Sequence, residues 1–117
     1  GKEGLSPKDE VLLDRVIFYM NNDPRVFALY IDGHSDDRGR RYDNRQLSKR
    51  RAESVERYLI ERGINSDMVT LRFHGQRYPI ASNSTSAGRA KNRRVTVRLE
   101  QREDMEIPTE LMFVLPD

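Results

Sequence analysis

Residues 31–62 read IDGHSDDRGRRYDNRQLSKRRAESVERYLIER, and this stretch decides the fold of the chain. In its second half the apolar residues Leu47, Val55 and Leu59 recur at intervals of four and eight positions. That spacing places them on one side of a helix and turns the charged residues between them toward solvent. We therefore predict a helix over residues 44–62 whose apolar face packs against the rest of the domain.

Arg51 lies on this predicted apolar face, four residues from an apolar neighbour in each direction. A guanidinium does not lose its proton in a protein, so an inward-facing arginine needs a hydrogen-bond acceptor. The loop before the helix supplies acceptors at Asp36, Asp37 and Asp43. Two interpretations follow: a structural ion pair that ties the loop to the helix, or a carboxylate and a guanidinium that together hold a ligand of mixed charge.

A strand is predicted on either side of this helix. Residues 26–31, VFALYI, are almost entirely apolar, which is typical of a strand covered on both faces. Residues 69–73 alternate apolar and polar side chains, as a half-buried strand does. Strand, helix and strand in this order indicate a right-handed parallel crossover. In the connecting loop we expect Gly39 to have a positive φ, because the chain must turn back toward the helix.

The remaining segments predict two helices and a further strand. A serine and a proline at 6–7 are typical of a helix start, and a short helix is expected over residues 87–92. Residues 94–100 alternate strictly between apolar and polar side chains. We expect them to form a last, half-exposed strand that turns its polar residues outward, Arg94 among them.

The order of these elements indicates an α/β fold, an α+β sandwich with a mixed sheet and helices packed on one face. The length of 117 residues suits one domain, which we place at residues 1–100. Residues 101–117 form a C-terminal tail that contains the apolar run LMFVL at 111–115. Because such a run is unfavourable in water, we expect it either to add an edge strand or to pack over a helix.

Charge is nearly balanced overall but unevenly distributed. The net charge is +2, whereas residues 88–98 contain five bases and no acid, and residues 103–117 contain five acids and no base. The apolar residues are grouped and periodic, so we expect a folded chain. Cysteine is absent from the sequence, which excludes a disulfide. No apolar run approaches the ~20 residues of a membrane span, so we expect no membrane insertion by this chain.

Few residues indicate catalysis or metal binding. His34 and His74 belong to separate segments, and a metal site would need a third ligand such as Asp32 or Asp36. We expect loop hydrogen bonding for His34 and sheet packing for His74 instead. No serine stands in a G-x-S-x-G pattern, and there is no G-x-x-x-x-G-K-[ST] phosphate loop. We therefore expect no enzyme activity, no metal and no cofactor.

The loop and the helix start have the chemistry to bind a small ligand. Asp36 offers an acceptor for an ammonium group, and Arg51, about two turns into the helix, offers a fork for a carboxylate. An amino-acid end carries both groups. The alternative is a nucleic-acid-binding module that uses the basic residues of 38–51 and 89–98. That alternative lacks interleaved exposed aromatic residues, and the net charge is near balance.

Residues 33–55 contain the pattern G-H-S-D-x-x-G-x-x-x-x-N-x-x-L-S-x-x-R-A-x-x-V. This pattern resembles the signature of the OmpA-like (OmpA/MotB) peptidoglycan-binding domain, and the resemblance extends over residues 5–99. It includes a G-x-x-x-P segment at 75–79 and Asn-Arg-Arg-Val at 92–95. The resemblance implies a βαβαβ domain in the periplasm of a Gram-negative bacterium. Such a domain binds peptidoglycan without cutting it and anchors an envelope or flagellar-motor assembly to the cell wall.

The resemblance also assigns residues to a ligand site. Family members hold the diaminopimelate of the stem peptide, through its ammonium and carboxylate groups, at the positions of Asp36 and Arg51. Further matched positions support or line the site, and they are Asn44, Leu47, Ser48, Arg93 and Arg94.

The chain departs from the family pattern near its start. Family members usually begin with a strand that bears an aromatic and an acidic residue and helps to wall the pocket. Nothing before Ser6 matches it, so either the chain was cut after that strand or the run at 111–115 takes its place. Ser35 stands where threonine is common. Residues 26–34 and 72–100 most resemble the MotY branch, a flagellar T-ring protein, which implies flagellar stator or basal-body proteins as partners.

Overall fold

The computed structural model describes residues 4–102 and 111–116, which contain three α-helices and four strands. In chain order these elements are α1 (Pro7–Asn22), β1 (Val26–His34), α2 (Arg41–Glu61), β2 (Val69–Gly75), α3 (Ser86–Asn92), β3 (Arg94–Gln101) and β4 (Leu111–Pro116). A short 3-10 turn at Ser66–Met68 leads into β2. Within the described residues, no helix combines the length and the apolar character that crossing a bilayer requires.

The four strands form one mixed sheet in the order β2-β1-β3-β4. β1 and β2 are parallel, with Ile31 opposite Leu71, and α2 connects them. The predicted parallel crossover is therefore confirmed. β3 runs antiparallel to β1 on one side and to β4 on the other. β3 is not the last strand, because β4 follows it and pairs with its outer edge. Its expected alternation is present from Val95 to Leu99, where apolar residues are buried and polar ones half-buried.

The apolar run at 111–115 lies in β4, beside β3. Phe113 and Leu115 are buried, whereas Met112 and Val114 are exposed, as expected for a strand with one face on the core. Of the two arrangements considered for this run, the structure contains the edge strand. The acidic residues of 103–110, which belong to the tail as predicted from the sequence, lie outside the described residues.

α1 begins with a capping box that the sequence indicates. The Oγ of Ser6 accepts a hydrogen bond from the Asp9 backbone N at 3.1 Å, and the Asp9 carboxylate accepts one from the Ser6 backbone N at 3.0 Å. Pro7 occupies the first turn, where its missing N–H would have no partner within the helix. The first helix therefore starts where the sequence predicts.

α1 and α2 pack on one face of the sheet and enclose the core. Burial of apolar surface there contributes about 25 cal/mol per Å² and holds both helices against the strands. The side chains that are fully withdrawn from solvent include Leu13, Val16, Leu29, Ile31, Val55, Leu59, Val97 and Leu99. The fold is the predicted α/β sandwich, a mixed sheet with helices on one face.

The inward face of α2 differs from the prediction near the start of the helix. α2 begins at Arg41 rather than at residue 44, and Leu47 is 41% exposed. The buried residues in this part are Asn44 and Ser48. A side chain at Gly33 of β1 would collide with the backbone carbonyl of Ser48. Because helix and strand approach so closely, a small polar residue faces the sheet here, and the apolar stripe begins only after it.

The loop between β1 and α2 turns at Gly39, which has a φ of 83°. This confirms the prediction of a positive φ, a conformation that residues with a Cβ rarely adopt. The turn directs the chain into α2, whose N-cap residue Arg40 makes no side-chain capping hydrogen bond. Only residues 37–40 separate Asp36 from the start of α2.

Candidate functional site

Asp36 follows β1 in this loop and is 7% exposed. Its Oδ2 accepts a hydrogen bond from Arg93 Nη1 at 2.9 Å, and its Oδ1 accepts one from the Arg38 backbone N at 2.9 Å. Burial alone would raise the pKa of the Asp36 carboxyl, but the Arg93 guanidinium and the Arg38 N–H hold it below its usual value. Asp36 is therefore an ionised carboxylate at neutral pH.

Arg51 lies at the junction between α2 and β4. Its Nη2 donates a hydrogen bond to the carbonyl oxygen of Pro116 at 3.2 Å. Arg51 also lines a cavity of about 260 Å³, close to the ~300 Å³ at the small end of ligand pockets. The other residues around this cavity include Leu5, Asp9, Ser54, Val55, Val95 and Leu115. Two arginines, Arg50 and Arg51, thus border a recess whose wall is part apolar and part polar.

The described hydrogen bonds give Asp36 and Arg51 different partners. From the sequence, the acceptor for Arg51 was expected among the acids of the preceding loop, whereas its described hydrogen bond goes to Pro116. The guanidinium that contacts Asp36 belongs to Arg93, 57 residues away in the chain. A direct or water-bridged approach of Asp36 and Arg51 in one pocket stays a prediction.

Asn44 and Ser48 connect α2 to the end of β2. The Nδ2 of Asn44 donates to Gln76 Oε1 at 2.9 Å. The Oγ of Ser48 accepts from the Gly75 backbone N at 3.1 Å and donates to the Arg45 carbonyl oxygen at 2.8 Å. Both residues are buried. Their contacts hold the start of α2 in place, and a role in supporting a ligand site stays a prediction.

Arg94 is buried rather than turned to solvent, so the prediction of an outward side chain is wrong. Its guanidinium donates to the carbonyl oxygens of Tyr78 at 3.1 Å and Asn92 at 3.3 Å. The loop after β2 covers this end of the sheet and supplies acceptors that strand alternation cannot indicate. Of the two adjacent arginines, Arg93 contacts Asp36 and Arg94 is hydrogen-bonded to the loop.

A polar cluster at the ends of β1 and β2 was missed by the sequence reasoning. Asp32 lies opposite Arg72 in the sheet and accepts two hydrogen bonds from its guanidinium, at 2.7 and 3.0 Å. His74 Nε2 lies 2.7 Å from the same carboxylate. Burial would raise the pKa of Asp32, but its bonds to Arg72 and His74 lower it. The parallel register of the two strands is the signal that could have paired these residues.

His34 ends β1 beside this cluster, and its ring stacks on that of His74 with 4.9 Å between centroids. Burial, with the nearby charge of Arg94, lowers the pKa of His34 to about 4, so the imidazole is neutral near pH 7. The stacking agrees with the packing expected for His74, whereas His34 lies at the end of a strand rather than in the loop. In the described part of the chain, no three His, Cys, Asp or Glu side chains are grouped to hold a metal ion.

Three relatives are similar to most of this chain. Outer membrane protein A of Bordetella avium is 37% identical over 98 residues, or 84% of this chain and 50% of that protein. Peptidoglycan-binding protein ArfA of Mycobacterium tuberculosis is 39% identical over 99 residues, or 83% and 30%. Sodium-type flagellar protein MotY of Vibrio parahaemolyticus is 31% identical over 87 residues, or 74% and 30%. The chain therefore spans half or less of the length of these relatives.

Among solved structures, the peptidoglycan-associated lipoprotein from Burkholderia pseudomallei is similar in both fold and sequence. It matches with a TM-score of 0.71 and 27% identity, over 80% of this chain and 79% of that one. Residues 1–93 match the sequence pattern of the OmpA family. Since this match covers most of the chain and agrees with the relatives and with the fold, the chain belongs to the OmpA family.

Proposed function

We propose that this domain binds peptidoglycan without cleaving it, and that it holds the diaminopimelate of a stem peptide. The single observation that carries the proposal is the buried, ionised carboxylate of Asp36 at the mouth of β1, in a chain of the OmpA family. A relative that is 39% identical is named as a peptidoglycan-binding protein. Diaminopimelate in a stem peptide presents a free ammonium group and a free carboxylate, so it needs both an acceptor and a cation.

Asp36 has acceptor capacity left for an ammonium group. Each carboxylate oxygen offers two lone-pair sites, and the described hydrogen bonds use one on each oxygen. Arg93 holds the carboxylate in place from one side, and its side chain is 33% exposed. An arriving ammonium group would therefore meet a carboxylate that is already oriented, while Arg51 or Arg93 offers a fork for the ligand's carboxylate.

The electrostatics of Asp36 favour binding over bond cleavage. A general acid works best when its pKa is raised toward the working pH. The pKa of Asp36 is instead held low by Arg93 and Arg38. An ionised carboxylate with paired cations suits the recognition of charge, so we assign the site to ligand binding and not to hydrolysis.

We further propose that the domain works in the periplasm as the wall-binding part of a larger assembly. Its relatives include an outer-membrane protein and a flagellar protein. A flagellar role is one candidate, but the identity to MotY, 31%, is below the 37% to outer membrane protein A. Crosslinking in cells, followed by identification of the linked proteins, would separate stator or basal-body partners from other envelope proteins.

The test is sedimentation with purified peptidoglycan, using Asp36→Ala and Arg51→Ala beside the wild type. Under the binding hypothesis, each variant loses most of its co-sedimentation while its melting temperature changes little. Asp37→Ala and Arg15→Ala are matched controls, because both residues are exposed and carry the same charges. A gel-shift assay with DNA on the same proteins addresses the nucleic-acid alternative, which the relatives named above do not support.

The structural interpretation of the two residues makes the opposite prediction. If Asp36 and Arg51 serve only the fold, both variants melt early, and any protein that stays folded still sediments with peptidoglycan. Folded Arg51→Ala protein that binds as well as the wild type would remove Arg51 from the site.

A further inference from the structure

The first half of α2 and the loop before it carry an unusual concentration of positive charge. Residues 38–51 contain a single acid, Asp43, and the following bases: Arg38, Arg40, Arg41, Arg45, Lys49, Arg50 and Arg51. The second half of the helix carries three acids, Glu53, Glu56 and Glu61, and one base, Arg57. A helix favours negative charge at its N-terminus and positive charge at its C-terminus. The charge distribution of α2 is the reverse of the one that stabilises a helix.

Three of these bases form a surface that we call the basic ridge, made of Arg41, Arg45 and Lys49. They are spaced four residues apart, so they line one side of α2. Arg45 and Lys49 lie over the ring of Phe73 in β2, at 5.2 and 5.4 Å from its centroid. The ridge therefore runs along the border between α2 and β2.

No ion pair with a carboxylate is described for any residue of the basic ridge within 4–102 and 111–116. Arg41 and Arg45 are exposed, and Lys49 is half-buried. Like charges four residues apart on a helix repel each other. The ridge thus destabilises α2 in two ways, through the helix dipole and through repulsion between its own charges. A bound anionic partner would offset both effects.

We propose that the basic ridge is a second contact with peptidoglycan. It takes free carboxylates of stem peptides that lie near the stem peptide held at Asp36. This inference rests on the proposed function. The ridge adjoins the candidate site, since Asn44 and Ser48 lie between its residues on the same stretch of α2. The backbone N–H of Arg38, at the base of the same loop, donates to Asp36. Peptidoglycan repeats its carboxylates along the polymer, so a weak second contact increases the overall affinity by multivalency.

The ridge fits a carboxylate polymer better than a membrane surface. A helix that binds lipid presents apolar side chains for insertion beside its cations. The ring of Phe73 is covered by two cations. The exposed Leu47 projects on the side of α2 away from the ridge, as the helical spacing from Arg45 and Lys49 requires. The exposed Tyr42 lies on the ridge's side of α2, but it is a single ring with a polar hydroxyl. The ridge therefore offers mainly charge and little apolar surface to insert.

The test compares Arg45→Gln/Lys49→Gln with the control Lys8→Gln/Arg15→Gln, which removes the same charge from exposed positions on α1. Two ligands are used: purified peptidoglycan sacculi, which present many stem peptides, and free diaminopimelate, which gains no affinity from multivalency. We expect the ridge variant to bind free diaminopimelate like the wild type. Its affinity for sacculi should fall roughly five- to tenfold at low salt, and much less at about 0.15 M salt. The control should bind both ligands normally.

Each outcome separates the ridge from the primary site. Equal binding of sacculi by the ridge variant and the control would overturn the second contact, and the proposed function would stand if wild type binds free diaminopimelate. Wild type that binds neither ligand would refute the proposed function and the ridge contact with it. The last measurement is binding of the same proteins to phosphatidylcholine vesicles that contain phosphatidylglycerol. Ridge-dependent binding to these vesicles, with ridge-independent binding to sacculi, would assign the surface to a membrane and overturn the proposal.

Discussion

Two buried aspartates, Asp32 and Asp36, each accept hydrogen bonds from an arginine but lie in different kinds of structure. Asp32 lies within β1 and accepts three described hydrogen bonds, two from Arg72 and one from His74. Asp36 lies in the loop after β1 and accepts two, from Arg93 and from the Arg38 backbone. Both carboxylates are ionised because arginine neighbours lower their pKa values. The same ion-pair chemistry joins two strands at Asp32, whereas at Asp36 it orients the carboxylate that we propose binds the ligand.

The largest expected effect is on stability and comes from Asp32→Ala. Removing this carboxylate leaves His74 and the buried side of Arg72 without their acceptor. Because the Arg72 side chain is 42% exposed, water compensates for part of the loss. We expect a decrease of about 2–3 kcal/mol in the free energy of unfolding, or roughly 10 °C in melting temperature. Denaturant melts check this value, and peptidoglycan binding by the folded protein should be unchanged.

The buried His34 beside Asp32 should appear in the pH dependence of stability. The pKa of His34 is lowered from 6.5 to about 4 by burial and by Arg94 and His74, with Asp32 acting in the opposite direction. The unfolded chain therefore binds a proton that the folded chain does not, and stability falls as the pH decreases from about 6.5 to 4. By pH 4 the loss should approach about 3 kcal/mol, at ~1.36 kcal/mol for each unit between the two pKa values. Urea melts across this range should show the slope, and His34→Gln should flatten it.

Asp36→Asn tests the other side of the comparison. This change removes the charge but preserves the shape, so we expect less than about 1 kcal/mol of destabilisation. Binding to peptidoglycan should fall by at least about tenfold, because a neutral amide does not pair with an ammonium group. Sedimentation and thermal melts on the same preparation measure both quantities. A large loss of stability with normal binding would place Asp36 in the same structural class as Asp32.

Exchanging arginine for lysine gives the smallest effects and sharpens the contrast. Arg72 uses two nitrogens on the Asp32 carboxylate, a geometry that lysine cannot reproduce. Arg93 donates one described hydrogen bond to Asp36, which a lysine ammonium could replace. We expect Arg72→Lys to cost about 1 kcal/mol and Arg93→Lys to cost less. If chemical denaturation shows the same decrease in the free energy of unfolding for both variants, the two ion pairs contribute equally to stability.

Much of the fold was predictable because its signals are local. The capping box at the start of α1, the positive φ of Gly39 and the parallel crossover through α2 each depend on residues close in sequence. The site was predictable only in part. The family pattern indicated Asp36, Asn44 and Ser48, which are buried and close to the loop. The contact of Arg51 with the Pro116 carbonyl has no local signal in the sequence.

The sequence by itself determined where helices and strands lie, since caps, glycine turns and apolar periodicity act within a few residues. Only the tertiary structure decided which charges meet. The contact of Arg93 with Asp36 joins residues 57 apart in the chain, and that of Arg51 with Pro116 joins residues 65 apart. Ser48, and not Leu47, faces the sheet where Gly33 approaches the Ser48 backbone. These features depend on how the layers pack, and periodicity along one segment carries no information about the segment that covers it.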